Sequence, residues 1–519
     1  MTLINLWDQG WRSNKRGLAY LAGSERWTFQ EARDLSCQVA HALLDEAGSK
    51  RLHVAVISEN MPRAWISVLG VWRAGHVWLP LNPNAKAEEL RKLLVRFDAD
   101  VVIFSEKNRD KADSLRKDVP RVLRWVQIED NSASAETDSA GGIVNFSTWV
   151  ENYNSTSPQV VAHEDDVIVI APTGGTTGEP KGVMNTNRNL SMYVAHFMLA
   201  TPYPSDNRPV ELTAAPMTHT AGFQSMAASA RGGCVAMLQR ADVQQIVTAI
   251  ESHSVTGLFL PPTVIYRLLE YLTENDADLG SLRYLVYGAA PMSVSRLKEG
   301  IRKLGPIFVE MYGQMELPGS ISFLKADQHV VGDELAPDER LKSCGRPSAF
   351  VEVGIKDEQG QLLDDQNVGE ICVRGDLLMA GYYKDPEKTA ETIRDGWLHT
   401  GDVGYIDEDG FIHIVDRKKE MIISGGFNVY PSEVEQIIYR LDFVKDCAVV
   451  GVPDDDWGER VVAYIETEPG MHPNESAVIS YCKKELDSVR APKEVKFVAE
   501  LPRSHAGKVL RRSVVEASR

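Results

Sequence analysis

Cysteine is scarce: six in 519 residues, at Cys37, Cys234, Cys344, Cys372, Cys447 and Cys482. No two are close enough for a Cys-x-x-Cys redox or zinc motif, and so few in so long a chain exclude a disulfide scaffold. That usage suits a reducing compartment, so a cytoplasmic location is expected. Long apolar runs are missing too. No uncharged stretch approaches the ~18 residues a membrane-spanning helix needs. The opening Met-Thr-Leu-Ile-Asn-Leu-Trp-Asp lacks the basic-then-apolar order of a secretory signal. Positive charge is in deficit, with 56 Lys and Arg against 73 Asp and Glu, a net −17. Such a field repels nucleic acid and anionic membranes, so neither is expected as a main partner. An anionic small molecule then needs basic residues gathered locally. Arg417, Lys418 and Lys419 form one group, and Arg503, Lys508, Arg511 and Arg512 another. A charge run alone is usually a solvated face, so their neighbours decide.

What is present is an ordinary globular composition, 43% hydrophobic and 25% charged, in a chain too long for one core. At least two domains are expected. Residues 53–57 read as a buried strand, and Asn60 and Pro62 start a helix over 63–73. An apolar stretch at 77–81, a helical pattern over 87–97 and a strand at 101–104 follow. The alternation resumes with 167–171, a helix over 187–200, and strands at 258–260, 282–287 and 307–311. Strands alternating with helices imply parallel sheets with helices on their faces. Residues 129–157, rich in Ser, Asn and Asp, read as a surface excursion. After about residue 351 shorter glycine-punctuated segments, such as 369–374 and 410–415, indicate a β-rich subdomain. The last hundred residues hold a small α+β pattern: helices at 434–441 and 477–486, strands at 447–452 and 461–466. The expected α/β fold is therefore a large N-terminal domain (1–416, β-rich from about 351), a connector at 417–419 and a small C-terminal domain (420–519).

Directly after the strand at 167–171 comes Pro172-Thr173-Gly174-Gly175-Thr176-Thr177-Gly178-Glu179-Pro180-Lys181-Gly182. Glycines let backbone N–H groups turn towards an anion, hydroxyls add donors and a lysine supplies charge. This is a phosphate cradle in physical terms, but not a Walker loop, because Glu179 and Pro180 separate Gly178 from Lys181.

The string Thr173–Gly182 resembles the phosphate-binding signature of the adenylate-forming superfamily, which holds acyl- and aryl-CoA synthetases, luciferases and peptide-synthetase adenylation domains. Further matches occur in order along the chain: Pro216-Met217-Thr218-His219-Thr220-Ala221-Gly222, Tyr287-Gly288-Ala289-Ala290-Pro291, Tyr312-Gly313-Gln314-Met315-Glu316, His399-Thr400-Gly401-Asp402, Asp416-Arg417-Lys418-Lys419, and Pro502-Arg503-Ser504-His505-Ala506-Gly507-Lys508. The resemblance is closest to acyl-CoA synthetases. It implies an enzyme that uses ATP, Mg²⁺ and coenzyme A to adenylate a carboxylic acid and then form its thioester.

The same resemblance implies roles. Thr173, Gly174, Gly175, Thr176, Thr177, Gly178 and Lys181 would hold phosphates. Gly288, Ala289, Ala290 and Pro291 would line the adenine and acyl sites, beside Tyr312, Gly313, Gln314 and Met315. Tyr312 would stack on adenine, and Glu316 would ligate Mg²⁺. Asp402, helped by Arg417, would accept both ribose hydroxyls, and His219 would gate the acyl site. Lys508 would neutralise charge developing as pyrophosphate leaves. Lys419 would be the hinge of a domain alternation that removes Lys508 and brings Gly425 and Gly426 to pantetheine. His196, Phe197, Phe223 and Tyr287, with small alanines nearby, suit a medium-sized apolar or cyclic acid. Met315 stands where the superfamily usually has threonine, so adenylation is expected to be impaired. Two alternatives stay open: an adenylation enzyme loading a carrier-protein thiol, although no carrier segment is evident before Arg519, and a catalytically reduced protein that binds an acyl adenylate or nucleotide.

Overall fold

The computed structural model describes residues 1–129, 142–173, 180–218, 220–364, 366–454, 457–468, 470–471, 473–503 and 509–516. The chain forms two compact units: Met1–Glu352 with Arg374–Leu398, and Val353–Val373 with His399–Arg519.

Two sheets organise the first unit. In one, parallel strands Phe308–Gln314, Tyr284–Gly288, Gly257–Phe259, Val210–Thr213, Cys234–Met237 and Leu18–Ala22 lie side by side in that order. Antiparallel Leu317–Leu324 and Arg346–Pro347 extend one edge, and Glu25–Thr28 the other. In the second sheet the order is Gly381–Tyr382, Lys181–Thr186, Val167–Thr173, Val77–Pro80, His53–Ile57, Val101–Phe104, Arg124–Gln127 and Ile143–Asn145. The strands expected at 53–57 and 101–104 and the helix at 187–200 occur with those bounds. That helix starts where it does because Thr186 and Asn189 exchange a reciprocal capping box.

One expectation needs correction. The stretch at 129–157 is not wholly a surface excursion. Ile143–Asn145 is a sheet-edge strand, and the helix Phe146–Val150 buries Phe146, Trp149 and Val150. Its few large apolar side chains outweigh the polar composition around them.

Strands Gly369–Gly375, Trp397–Ile406 and Ile412–Arg417, joined in one sheet, lie mostly in the second unit. A further sheet pairs the long strands Val444–Asp454 and Gly458–Thr467, with Ile422–Ser424 and Glu494–Val498 beside the latter. Helices Pro431–Ile438 and Glu475–Glu485 close its apolar core.

Candidate functional site

In the first unit, the strand Val167–Thr173 ends at the glycine loop, and Thr173 pairs directly with Lys181. Gly174, Gly175, Thr176, Thr177 and Gly178 lie outside the described residues. The Lys181 ammonium stands 4.8 Å from the centre of the Tyr382 ring, a cation–π contact. The Tyr382 hydroxyl donates to Oε1 of Glu316 at 2.8 Å. Burial, then the neighbouring Glu316 carboxylate, raise the phenol above its ordinary range, so it keeps its proton. The Glu316 carbonyl accepts from the Met379 amide at 2.9 Å. Tyr382 thus connects the lysine expected to hold phosphate to the carboxylate expected to hold a metal. Nothing in the motifs singled it out. The sheet edge explains it: Gly381 and Tyr382 pair with Met184 and Val183 of the strand that begins at Lys181.

The segment from Tyr312 to Glu316 forms the tight connection between Phe308–Gln314 and Leu317–Leu324. Its closeness requires glycine, because a Cβ on Gly313 would stand 2.6 Å from the backbone of Gly319. Gly288 has a similar reason, since its Cβ would meet the Met311 carbonyl oxygen at 2.4 Å. Ala289 takes a left-handed φ of +65°, uncommon for a residue with a Cβ and suited to a special turn. Ala290 is half-buried and Pro291 exposed. Tyr312 is buried, and Gln314 and Met315 are half-buried. The Met315 carbonyl accepts from the Asn185 amide at 3.3 Å, so its backbone is anchored while its side chain offers no donor.

The four aromatic residues expected around the acid are not brought together. Phe223 packs edge-on against Trp78 at 5.8 Å and Tyr193 at 6.5 Å, and Phe197 meets Tyr193 at 6.4 Å. His196 is spent on structure: Nδ1 lies 3.1 Å from Ser320 Oγ, and Nε2 2.6 Å from the Ala349 carbonyl. Burial lowers its pKa. Tyr287 joins the core beneath the helices Pro262–Glu274 and Val294–Leu304. There its hydroxyl lies 3.4 Å from Glu310 Oε2 and 3.3 Å from His329 Nε2. Successive strand residues face opposite sides of a sheet, so Val286 borders a small cavity with Phe197 while Tyr287 turns away. Tyr193, a ring shared by both Phe197 and Phe223, takes the central place. His219 lies outside the described residues.

In the second unit, Asp402 is only 2% exposed and pairs with Arg417 across neighbouring strands, Oδ1 to Nε at 2.6 Å. Gly401 takes φ +71°, and its carbonyl accepts from the Lys418 amide. Lys419 is exposed in the turn that follows the strand Ile412–Arg417. Gly425 and Gly426 both have left-handed φ, +59° and +81°, between Ile422–Ser424 and Phe427–Val429. Much of both basic groups is matched by acid: Lys418 by Glu370, Arg503 by Asp446 and Glu466, Arg511 by Glu420 and Glu435. Lys508 lies outside the described residues. The backbone bridge between Arg503 and Val509 brackets the segment that carries it.

Comparison with known proteins finds two family matches. Residues 8–383 match the AMP-binding enzyme family and residues 433–508 the AMP-binding enzyme C-terminal domain. A medium/long-chain-fatty-acid–CoA ligase, FadD8 of Mycobacterium tuberculosis, is 38% identical over 67% of this chain and 61% of its own. Feruloyl-CoA synthase of an Amycolatopsis species is 32% identical over 97% of this chain and 96% of its own. Among solved structures, the amide bond synthetase McbA of Marinactinospora thermotolerans superposes with a TM-score of 0.87 and 29% identity, all of each chain covered. The protein belongs to the AMP-binding enzyme family and has the adenylate-forming fold. Its relatives make it an acid–CoA ligase, an enzyme class whose substrates are ATP, a carboxylic acid and coenzyme A.

Proposed function

We propose that this ligase adenylates a medium-sized apolar or cyclic carboxylic acid and then passes the acyl group to coenzyme A. The observation that carries the reading is the Lys181–Tyr382–Glu316 connection, which brings a cation and a carboxylate to one ring beside the phosphate loop. Glu316 presents hard oxygen donors of the kind Mg²⁺ takes, and Mg²⁺ there would offset phosphate charge. Lys181 attracts the phosphates, while Tyr382 fixes one carboxylate oxygen through its hydroxyl. Asp402 accepts the ribose hydroxyls, and Arg417 pairs with that buried carboxylate. Lys508 stabilises the charge developing on the α-phosphate. The small domain then turns about 417–419, so that Lys508 leaves and Gly425 and Gly426 border the pantetheine arm.

The acid's identity rests on Phe197, Phe223 and Tyr193, an aromatic group that favours an apolar body over a short polar one. Relatives named for fatty and for feruloyl acids support that range. Met315 makes adenylation the weaker half-reaction. The test is kcat/KM across acids graded from acetate through medium-chain and ring acids to long chains, with ATP, Mg²⁺ and coenzyme A. A maximum at medium-chain or ring acids is expected; a maximum at acetate would refute the proposed substrate class.

A further inference from the structure

A second group of chemically active side chains lies in the β-rich part of the second unit. Glu370 and Cys372 are two apart on the strand Gly369–Gly375, so they share a face. His399 stands on the neighbouring strand Trp397–Ile406. Its Nδ1 is 3.4 Å from Cys372 Sγ and 3.0 Å from Glu370 Oε2. Single donor atoms from all three lie within 4.8 Å of one another. The Glu370 side chain is 7% exposed and that of His399 8%, and Cys372 is fully buried.

One proton cannot serve both contacts well, because a ring nitrogen offers either one N–H or one lone pair. A cation placed among the three atoms can satisfy all of them. Zinc bonds of about 2.3 Å to sulfur and about 2.0–2.2 Å to nitrogen and oxygen, at tetrahedral angles, put neighbouring donors roughly 3.4–3.6 Å apart. The two spacings from His399, 3.4 Å to sulfur and 3.0 Å to oxygen, need only a few tenths of an ångström of adjustment, and the sulfur and oxygen close to the same distance within their 4.8 Å limit. We propose that Glu370, Cys372 and His399 form a three-ligand site for Zn²⁺, with a fourth position for water. Thiolate and imidazole select Zn²⁺ over the Mg²⁺ that phosphates use. The ion competes with the Lys418 ammonium, 3.1 Å from Glu370 Oε2 on a partly exposed side chain that can turn to solvent. Glu370 Oε1 also accepts from the Gly401 amide at 3.2 Å, so the bound ion braces the turn that presents Asp402.

The probe is Co²⁺, which takes the same donors and reports thiolate ligation by a charge-transfer absorption. The full chain, stripped with a chelator, should develop that band with one equivalent of Co²⁺ and lose it on adding Zn²⁺. Binding should release the thiol proton and tighten as pH rises. Cys372→Ala should abolish the band while metal-stripped protein keeps its acid-dependent pyrophosphate release. Cys372→Val, which refills the buried volume, repeats the test if the alanine form folds poorly. No band in the parent protein, or a band that survives both substitutions, would overturn the site.

Discussion

The Tyr382 hydroxyl donates to Glu316 across 66 residues of chain, at 2.8 Å. The same ring faces the Lys181 ammonium, so one side chain holds two charged groups of opposite sign in register. Tyr382→Phe keeps the ring for the lysine and removes only the hydrogen bond. A bond to a charged group is worth ~1.5–3 kcal/mol, which converts to roughly 10- to 150-fold if it acts in the transition state. Pyrophosphate release without coenzyme A should fall by that factor. Thioester formation from supplied acyl adenylate should stay unchanged; an equal fall in both steps would reduce Tyr382 to a general structural part.

Asp402 and Arg417 make the corresponding pair in the second unit. Asp402→Asn keeps the shape of the side chain and removes its charge. AMP affinity, measured by calorimetry, should drop by roughly tenfold or more, the scale of one charged hydrogen bond. Unchanged affinity would remove Asp402 from the ribose site.

Met315→Thr should raise the rate of pyrophosphate release by roughly 10- to 150-fold, since a hydroxyl restores one hydrogen bond to a phosphate oxygen. Thioesterification should gain less, because its phosphate ester is already formed. No rise, with ATP and acid binding unchanged, would show that the methionine is compensated.

Much of this was legible in the sequence, for identifiable reasons. Buried parallel strands such as 53–57 and 101–104 are short continuous apolar runs between helical periods, and such runs have sharp ends. The residues expected to bind nucleotide sit in motifs whose glycines answer close backbone approaches, as at Gly288 and Gly313. Contacts between distant segments were not legible. Tyr382 meets Glu316 only because a two-residue strand joins a sheet edge. Tyr287 shows the converse: it sits in a motif, but strand alternation turns its ring into the core, beside Glu310 and His329. His196 likewise faces Ser320 and Ala349, which helix periodicity alone does not reveal.

Two enclosed carboxyls set a pH dependence. Burial raises Glu310 from 4.5 to about 8, and Glu211 from 4.5 to about 8 against the opposing pull of Arg231. Each binds its proton more tightly folded than unfolded. Their contribution is complete below about pH 4.5 and is lost as pH rises through about 8. Glu310→Gln and Glu211→Gln should therefore each flatten the fall in melting temperature between pH 5 and pH 8.5. Parallel curves for variant and parent would contradict that assignment.

The proposed reaction runs in two steps through an enzyme-bound acyl adenylate, with Lys508 serving only the first. Its most direct test is a single-turnover pulse and chase. Enzyme, ATP, Mg²⁺ and the preferred acid are mixed without coenzyme A, the bound species is identified by mass spectrometry, and coenzyme A is then added. Acyl adenylate should accumulate first and convert to acyl-CoA on the chase. Lys508→Ala should fail at the first stage yet convert supplied adenylate at close to the parent rate. Thioester formed without an intervening adenylate, or comparable loss of both stages in Lys508→Ala, would exclude that two-step route.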